Sequence, residues 1–331
     1  MTPLLSIEGL TVELSTGDHS FEAVSDITLA VARNEVLALV GESGSGKSMT
    51  ALAIMRLLPE PVADIVAGTI MFDGIDLASA GEVTLRGIRG NRIGLIFQEP
   101  MTSLNPSIRV GPQVAEVLRL HKGLDAASAR RRVEELFEQV RIPDSKRRYD
   151  DYPHQMSGGM RQRVVIALAL ACDPDVLIAD EPTTALDVTT QAQILETFRD
   201  LQASVEAATI LITHDLAVVA ETADRIAVMY AGRIVEETTT EQLFASPRHP
   251  YTHGLLGSIP HIAEAEEETR TRDRLPEIAG TVPALWALPP GCAFEPRCPR
   301  ASKRCVGERP PLAEIAPGHS TACWHPVETA G

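Results

Sequence analysis

Glu35-Val-Leu-Ala-Leu-Val40 runs directly into Gly41-Glu42-Ser43-Gly44-Ser45-Gly46-Lys47-Ser48. A continuous apolar run ended by glycine suits a strand buried on both faces. The loop that follows matches G-x-x-x-x-G-K-[ST], and the stretch from Ser48 to Leu58 reads as a helix. Strand, glycine-rich loop and helix, in that order, are the context a phosphate-binding loop needs. Glycines let successive backbone N–H groups curl around phosphates, Lys47 would reach the β and γ oxygens, and Ser48 can ligate Mg2+. The bland alternative is a glycine-rich turn that happens to contain Lys-Ser; it requires neither the strand nor the helix.

Working outward, Leu5 to Val12 and Asp26 to Val31 read as strands with a polar Gly-Asp-His turn between them. Residues 107–156 change character to a helical insertion. There Asp125 can cap a helix whose Val133, Leu136, Phe137 and Val140 follow the i, i+3, i+4, i+7 rule. A buried helix from about Arg161 to Ala171 stops at Asp173-Pro174, and Cys172 beside it reads as core packing. Val176-Leu-Ile-Ala179 and Thr209-Ile-Leu-Ile212 are further apolar strands. Strands alternating with helices predict an α/β fold around a mainly parallel sheet. After about Pro247 the chain becomes Pro-rich and irregular, and Glu264-Ala-Glu-Glu-Glu268 reads as a solvated linker.

Composition narrows the function classes. The 331 residues are 44% hydrophobic and 23% charged, an ordinary globular balance that rules out disorder or coiled coil for the whole chain. Lys and Arg total 30 against 45 Asp and Glu, so the net charge of −15 argues against nucleic acid or an anionic membrane surface as main partner. The longest apolar run, Val164 to Cys172, is too short to span a bilayer. The start, Met1 to Glu8, lacks a basic region and does not read as a signal peptide, so a cytosolic chain is expected.

Two further motifs carry chemistry. Asp180-Glu181 puts two carboxylates at the end of a buried strand, where parallel sheets bind ligands. Asp180 would hold Mg2+ through water, and Glu181 would polarise an attacking water. Ser157-Gly158-Gly159 opens the buried helix 23 residues before Asp180. Free N–H groups and the helix dipole make such a start an anion site.

The set Gly41–Ser48, Gln98, Ser157-Gly158-Gly159, Asp180-Glu181, Ala185-Leu186-Asp187 and His214 resembles the ATP-binding cassette of ABC transporters, over roughly residues 4–250. Met160 departs from the commonest signature, which has Gln. Three stretches look like the ATPase subunits of oligopeptide, dipeptide and nickel importers: Phe97-Gln98-Glu-Pro-Met-Thr-Ser-Leu-Asn-Pro106, Tyr152 to Arg163, and Ser246-Pro-Arg-His-Pro-Tyr-Thr-His253. Gly291-Cys-Ala-Phe-Glu-Pro-Arg-Cys298 looks like their tail.

The resemblance implies a P-loop cassette over 4–254, with a RecA-like parallel core, an N-terminal antiparallel β subdomain and a helical signature subdomain at about 100–170. A C-terminal extension, irregular and Cys-rich, would fill 255–331. It implies an ATPase using ATP and Mg2+ in which Gln98 senses Mg2+ and the attacking water, and His214 contacts the γ-phosphate. Ser157, Gly158 and Gly159 would bind the ATP of an opposing subunit, and Asp187 would contact across the dimer. Phe21 is the candidate for adenine stacking, with packing in the first sheet as the competing reading.

The implied partners are a second, homologous ATPase in a heterodimer, two transmembrane permease subunits and an extracytoplasmic solute-binding protein, with no nucleic acid. The chain would be peripheral on the cytoplasmic face of a bacterial membrane. Di- or oligopeptides are the expected cargo, with nickel, opines or oligosaccharides as alternatives; a soluble cassette acting on nucleic acid or the ribosome is the remote one. Cys292, Cys298, Cys305 and Cys323 are spaced C-x5-C-x6-C-x17-C, wider than zinc ribbons use. The resemblance implies a [4Fe–4S] cluster there, zinc and free cysteines remaining open.

Overall fold

The computed structural model describes residues 3–17, 19–98, 103–182, 207–258 and 277–328, together with Gln191, Gln193, Glu196 and Thr197. From the N-terminus, strands β1 (Leu5–Thr16), β2 (His19–Val31) and β3 (Val36–Val40) lead into helix α1 (Lys47–Ile54). There follow β4 (Ala63–Phe72), β5 (Ile75–Asp76), α2 (Glu82–Ile88) and β6 (Ile93–Ile96). A helical stretch holds α3 (Val110–Lys122), α4 (Ala126–Gln139), α5 (Ser145–Arg148) and α6 (Gly158–Leu170), and ends at β7 (Val176–Asp180). Then come β8 (Ala208–Thr213), α7 (Leu216–Thr222), β9 (Arg225–Tyr230), β10 (Arg233–Thr239), α8 (Thr240–Ala245) and α9 (Pro250–Gly257). The tail adds α10 (Lys303–Gly307), β11 (Ala313–Ala316) and β12 (His319–Thr321).

These strands form two sheets. One is antiparallel in the order β2-β1-β4-β5; the other runs β11-β12-β10-β9-β3-β8-β7-β6 and is parallel from β9 through β6. Every residue of β3 is buried, as its unbroken apolar run predicts for a strand covered on both faces. One face packs Leu37 and Leu39 with Leu5, Ile7, Phe72 and Ile54 beneath the antiparallel sheet. Val133, Leu136 and Phe137 of α4 fill another core with α6. Burying each such side chain contributes ~1.5–3 kcal/mol. Asp125 caps α4 by accepting the Ser128 N–H. Cys172 is in that same core, at 0% exposure.

Several elements differ from expectation in extent. The first hairpin is longer than its apolar centre suggested, because polar residues continue the β1–β2 pairing out to Thr16 and His19. The first helix ends at Ile54 rather than Leu58. The tail is only partly irregular, since β12 pairs antiparallel with β10 and so extends the main sheet. Beneath that joint Glu236, fully buried, accepts the N–H groups of Arg248 and His249 at 2.6 and 2.8 Å and pairs with His319 Nε2 at 2.7 Å. A desolvated carboxylate so satisfied knots β10, the start of α9 and the tail together. The acidic run at 264–268 lies outside the described residues.

Candidate active site

The loop between β3 and α1 passes tightly beneath the end of β9. A Cβ on Gly41 would stand 2.2 Å from the Met229 carbonyl oxygen, so only glycine fits there. A cavity of about 330 Å3 opens beyond it, lined by Ser43 to Met49 together with Leu14, Ala23, Gln98, Glu181 and Leu285. Lys47 is buried, and its Nζ donates to the carbonyls of Gly41 at 2.8 Å and Glu42 at 3.0 Å. Burial lowers its pKa, against the opposing pull of the Glu181, Asp180 and Glu42 carboxylates. The ammonium is thus held by the loop's own carbonyls at the point where phosphates would compete for it.

Glu181 lines this cavity and Asp180 lies buried against Ser48 of the loop, so both serve one site although consecutive strand residues point to opposite faces. The reason is local: Glu181 takes a left-handed conformation, φ 46°, immediately after β7. That conformation costs a non-glycine residue on the order of 1 kcal/mol and is characteristic of functional positions. Glu181 Oε2 accepts from Gln98 Nε2 at 2.9 Å, and its Oε1 lies 3.2 Å from His214 Nδ1. Three residues nominated separately therefore meet at one carboxylate. Asp180 accepts a hydrogen bond from Ser48, while burial raises its pKa. Its Oδ1 is buried without a hydrogen-bond partner. A hydroxyl beside an orphaned carboxylate oxygen is an arrangement that fits Mg2+.

Ser157 caps α6, its side chain accepting the Met160 N–H. With Gly158 it is exposed, and neither they nor Gly159 line the phosphate cavity of their own chain. Asp187, with Ala185 and Leu186, lies outside the described residues. Phe21 does not line the cavity either; it packs edge-on against Trp286, centroids 5.7 Å apart, next to the lining residue Leu285. The tail therefore supplies part of this wall.

Arg297 of the tail and Tyr251 of α9 also grip the phosphate loop directly, residues that sequence reasoning left without a role. Arg297 donates to both Glu42 carboxylate oxygens, at 2.7 and 3.1 Å, and the Tyr251 hydroxyl accepts the Glu42 N–H at 2.9 Å. The Glu42 pair holds Arg297 well above the ordinary guanidinium pKa, and burial does the same to the Tyr251 phenol. Arg297 and Tyr251 fall inside the Gly291–Cys298 and Ser246–His253 stretches, whose distinctiveness was the one available signal.

Cys292, Cys298, Cys305 and Cys323 line one small pocket. Close approach there is allowed by Gly291, whose Cβ would stand 2.1 Å from the Cys305 carbonyl oxygen. Burial pushes up the thiols of Cys292, Cys298 and Cys323, the last to about 11, with the neighbouring cysteines adding to it. Backbone N–H groups of Phe294, Arg300 and His325 point at those three sulfurs. Among the described residues no group of three or more His, Cys, Asp or Glu is placed to hold a single metal ion.

A phosphate loop on a parallel sheet, with an antiparallel sheet above and a helical arm beside it, defines an ATP-binding cassette. Residues 24–184 match the family described as ABC transporter, and 235–305 match the oligopeptide/dipeptide transporter C-terminal region. A putative peptide import ATP-binding protein of Brucella ovis is 51% identical over 98% of both chains. The oligopeptide transport ATP-binding protein OppD of Bacillus subtilis is 48% identical, over 98% of this chain and 90% of that one. The dipeptide transport ATP-binding protein DppD of Escherichia coli is 47% identical, over 99% and 98%. Among solved structures, the dimeric post-hydrolysis state of the cassette MJ0796 with ADP and Pi aligns with TM-score 0.64 at 27% identity, covering 71% of this chain and 98% of that one. The chain belongs to the ATP-binding subunits of ABC transporters, in the oligopeptide/dipeptide subgroup, and is an ATPase. Among the described residues no helix is long and apolar enough to cross a membrane.

Proposed function

We propose that this chain hydrolyses ATP to energise import of short peptides through a membrane transporter. The observation that carries the reading is the Glu181 carboxylate, held at the phosphate loop between Gln98 and His214. Glu181 orients the water that attacks the γ-phosphorus as the bond to ADP breaks; Gln98 and His214 hold that carboxylate in place, and His214 also contacts the γ-phosphate. Lys47 and the loop N–H groups from Ser43 to Ser48 bind the phosphates, with Ser48, Asp180 and Gln98 as the residues that would hold Mg2+. Bound there, the ion neutralises charge developing on the phosphates.

Ser157-Gly158-Gly159 lies outside its own phosphate cavity, which supports its serving an ATP on an opposing cassette, with Asp187 contacting across that dimer. The opposing cassette is a homologous subunit in a heterodimer under two transmembrane permeases, supplied by an extracytoplasmic solute-binding protein. This chain would then be peripheral on the cytoplasmic face. Adenine lodges against the tail wall at Leu285, which the Phe21–Trp286 pair backs. The four-cysteine pocket is the place for a [4Fe–4S] cluster: four sulfurs around one space, three of them receiving N–H groups, suit thiolates spread over a group larger than one ion. Its part is structural, fixing the tail that carries Arg297. Anaerobic purification should give a brown protein with about four irons per chain; an iron-free protein with the same tail stability would exclude it.

Similarity to peptide import subunits over nearly the whole chain supports peptide as cargo; nickel, opine and oligosaccharide are the alternatives. Reconstitution with the permeases decides between them. Uptake of a labelled dipeptide that requires ATP and Glu181 is expected, and ATP-driven uptake of nickel in its place would overturn the assignment.

A further inference from the structure

A cleft of about 550 Å3 lies between β2, β10 and the tail, and it shares no lining residue with the phosphate-loop cavity. Its size suits a small molecule, since such sites run to ~300–1,000 Å3. Arg233 enters from β10 and Arg309 from the tail. Arg233 donates to the Ser25 hydroxyl and lies 3.8 Å from Glu22. Burial, and then the like charge of Arg309, lower its pKa. Two guanidinium groups share one cleft: Glu22 and Asp26 act on Arg233, while Arg309 has no ion pair among the described residues.

The cleft is also lined by Asp26 on β2, whose carboxylate acts on Arg233. The other acid in the cleft, Glu237, is already paired with Arg225. Ile234, Phe294 and Leu312 line the same cleft. The cleft thus combines two guanidinium groups, a carboxylate and apolar side chains.

We propose that the cleft binds a small zwitterion of the amino-acid or short-peptide kind, its carboxylate at Arg233 and Arg309, its ammonium at Asp26 and its apolar side chain on Phe294 and Leu312. A phosphate dianion fits the arginines but meets the Asp26 carboxylate. Choosing a peptide among zwitterions rests on the import reading above; the charge pattern does not. Because the ligand touches both cassette and tail, its binding energy strengthens their docking. The docked tail places Arg297 on the phosphate loop. The site thus gives the ATPase a means of sensing internal cargo.

The test is calorimetric titration of the full chain with leucyl-phenylalanine, its C-terminal amide and inorganic phosphate. One dipeptide per chain should bind, and both the amide and the Arg309→Gln variant should weaken binding about tenfold or more, the worth of one charged hydrogen bond. Arg309→Gln should leave ATP affinity unchanged. Absence of dipeptide binding at millimolar concentration, equal binding by Arg309→Gln, or binding of phosphate alone would overturn the proposal. Uptake in the reconstituted transporter separates the two readings. A dipeptide carried but not bound in the cleft overturns the cleft alone, and one bound but not carried overturns peptide import alone.

Discussion

Replacing Arg297 by Ala should loosen the phosphate loop from 255 residues away in sequence. The guanidinium donates to both Glu42 oxygens and also to the carbonyls of Ala279 and Ile278, at 3.1 and 3.3 Å. Its side chain is 5% exposed, against 27% for Glu42. Severing a buried ion pair costs ~3–5 kcal/mol. Water reaches the abandoned carboxylate in part, so ~2–3 kcal/mol is expected here. In a chain of this size that lowers the melting temperature by about 3–4 °C. A double-mutant cycle with Glu42→Ala isolates the pair, and the two losses should overlap by ~1–3 kcal/mol. The Glu42 carbonyl is one of the Lys47 acceptors, so ATP affinity should fall about fivefold, ~1 kcal/mol for one slackened hydrogen bond. Additive losses with ATP affinity intact would refute the idea that the tail shapes the loop.

Acid should loosen the tail through His249, which is buried and has a pKa lowered from 6.5 to about 4. The unfolded chain binds that proton first, so the contribution is whole above pH 6.5 and vanishes as pH falls to about 4, ~3 kcal/mol in all. His249→Asn keeps an acceptor for the Tyr251 N–H, and should remove this part of the slope in denaturant titrations; an unchanged slope would contradict it. For the base wall, Phe21→Ala should weaken ATP about tenfold and leave inorganic triphosphate unaffected. Trp286 fluorescence should respond to ATP alone, read in a Trp324→Phe background; equal responses to both would place the base elsewhere.

The parallel core and the phosphate loop were legible because their signals are local. Val36–Val40, the glycines after it and the helix beyond are contiguous, and each motif carries its own spacing. The convergence of Gln98, Glu181 and His214 was anticipated only by resemblance, since nothing in the sequence dictates that β7, β8 and the residues after β6 end side by side. What escaped reading is long-range. β4 alternates poorly, with Asp64, Val66, Ala67 and Gly68 exposed, so its pairing with β1 and β5 makes it a strand. Arg297 looks like one tail arginine among several until the fold sets it on Glu42. The tail strands β11 and β12 are short and β11 is largely exposed; they form because β10 offers an edge and Glu236 an anchor.

Glu181→Gln in the assembled transporter tests the central claim most directly. The amide keeps the shape of the side chain and the Gln98 contact while removing the base, so nucleotide binding should stay near wild type. ATP turnover should fall ~10²–10⁴-fold, the usual worth of a general base. Bound nucleotide should accumulate as ATP rather than ADP. A Glu181→Gln transporter that hydrolyses ATP at close to the wild-type rate would contradict the account.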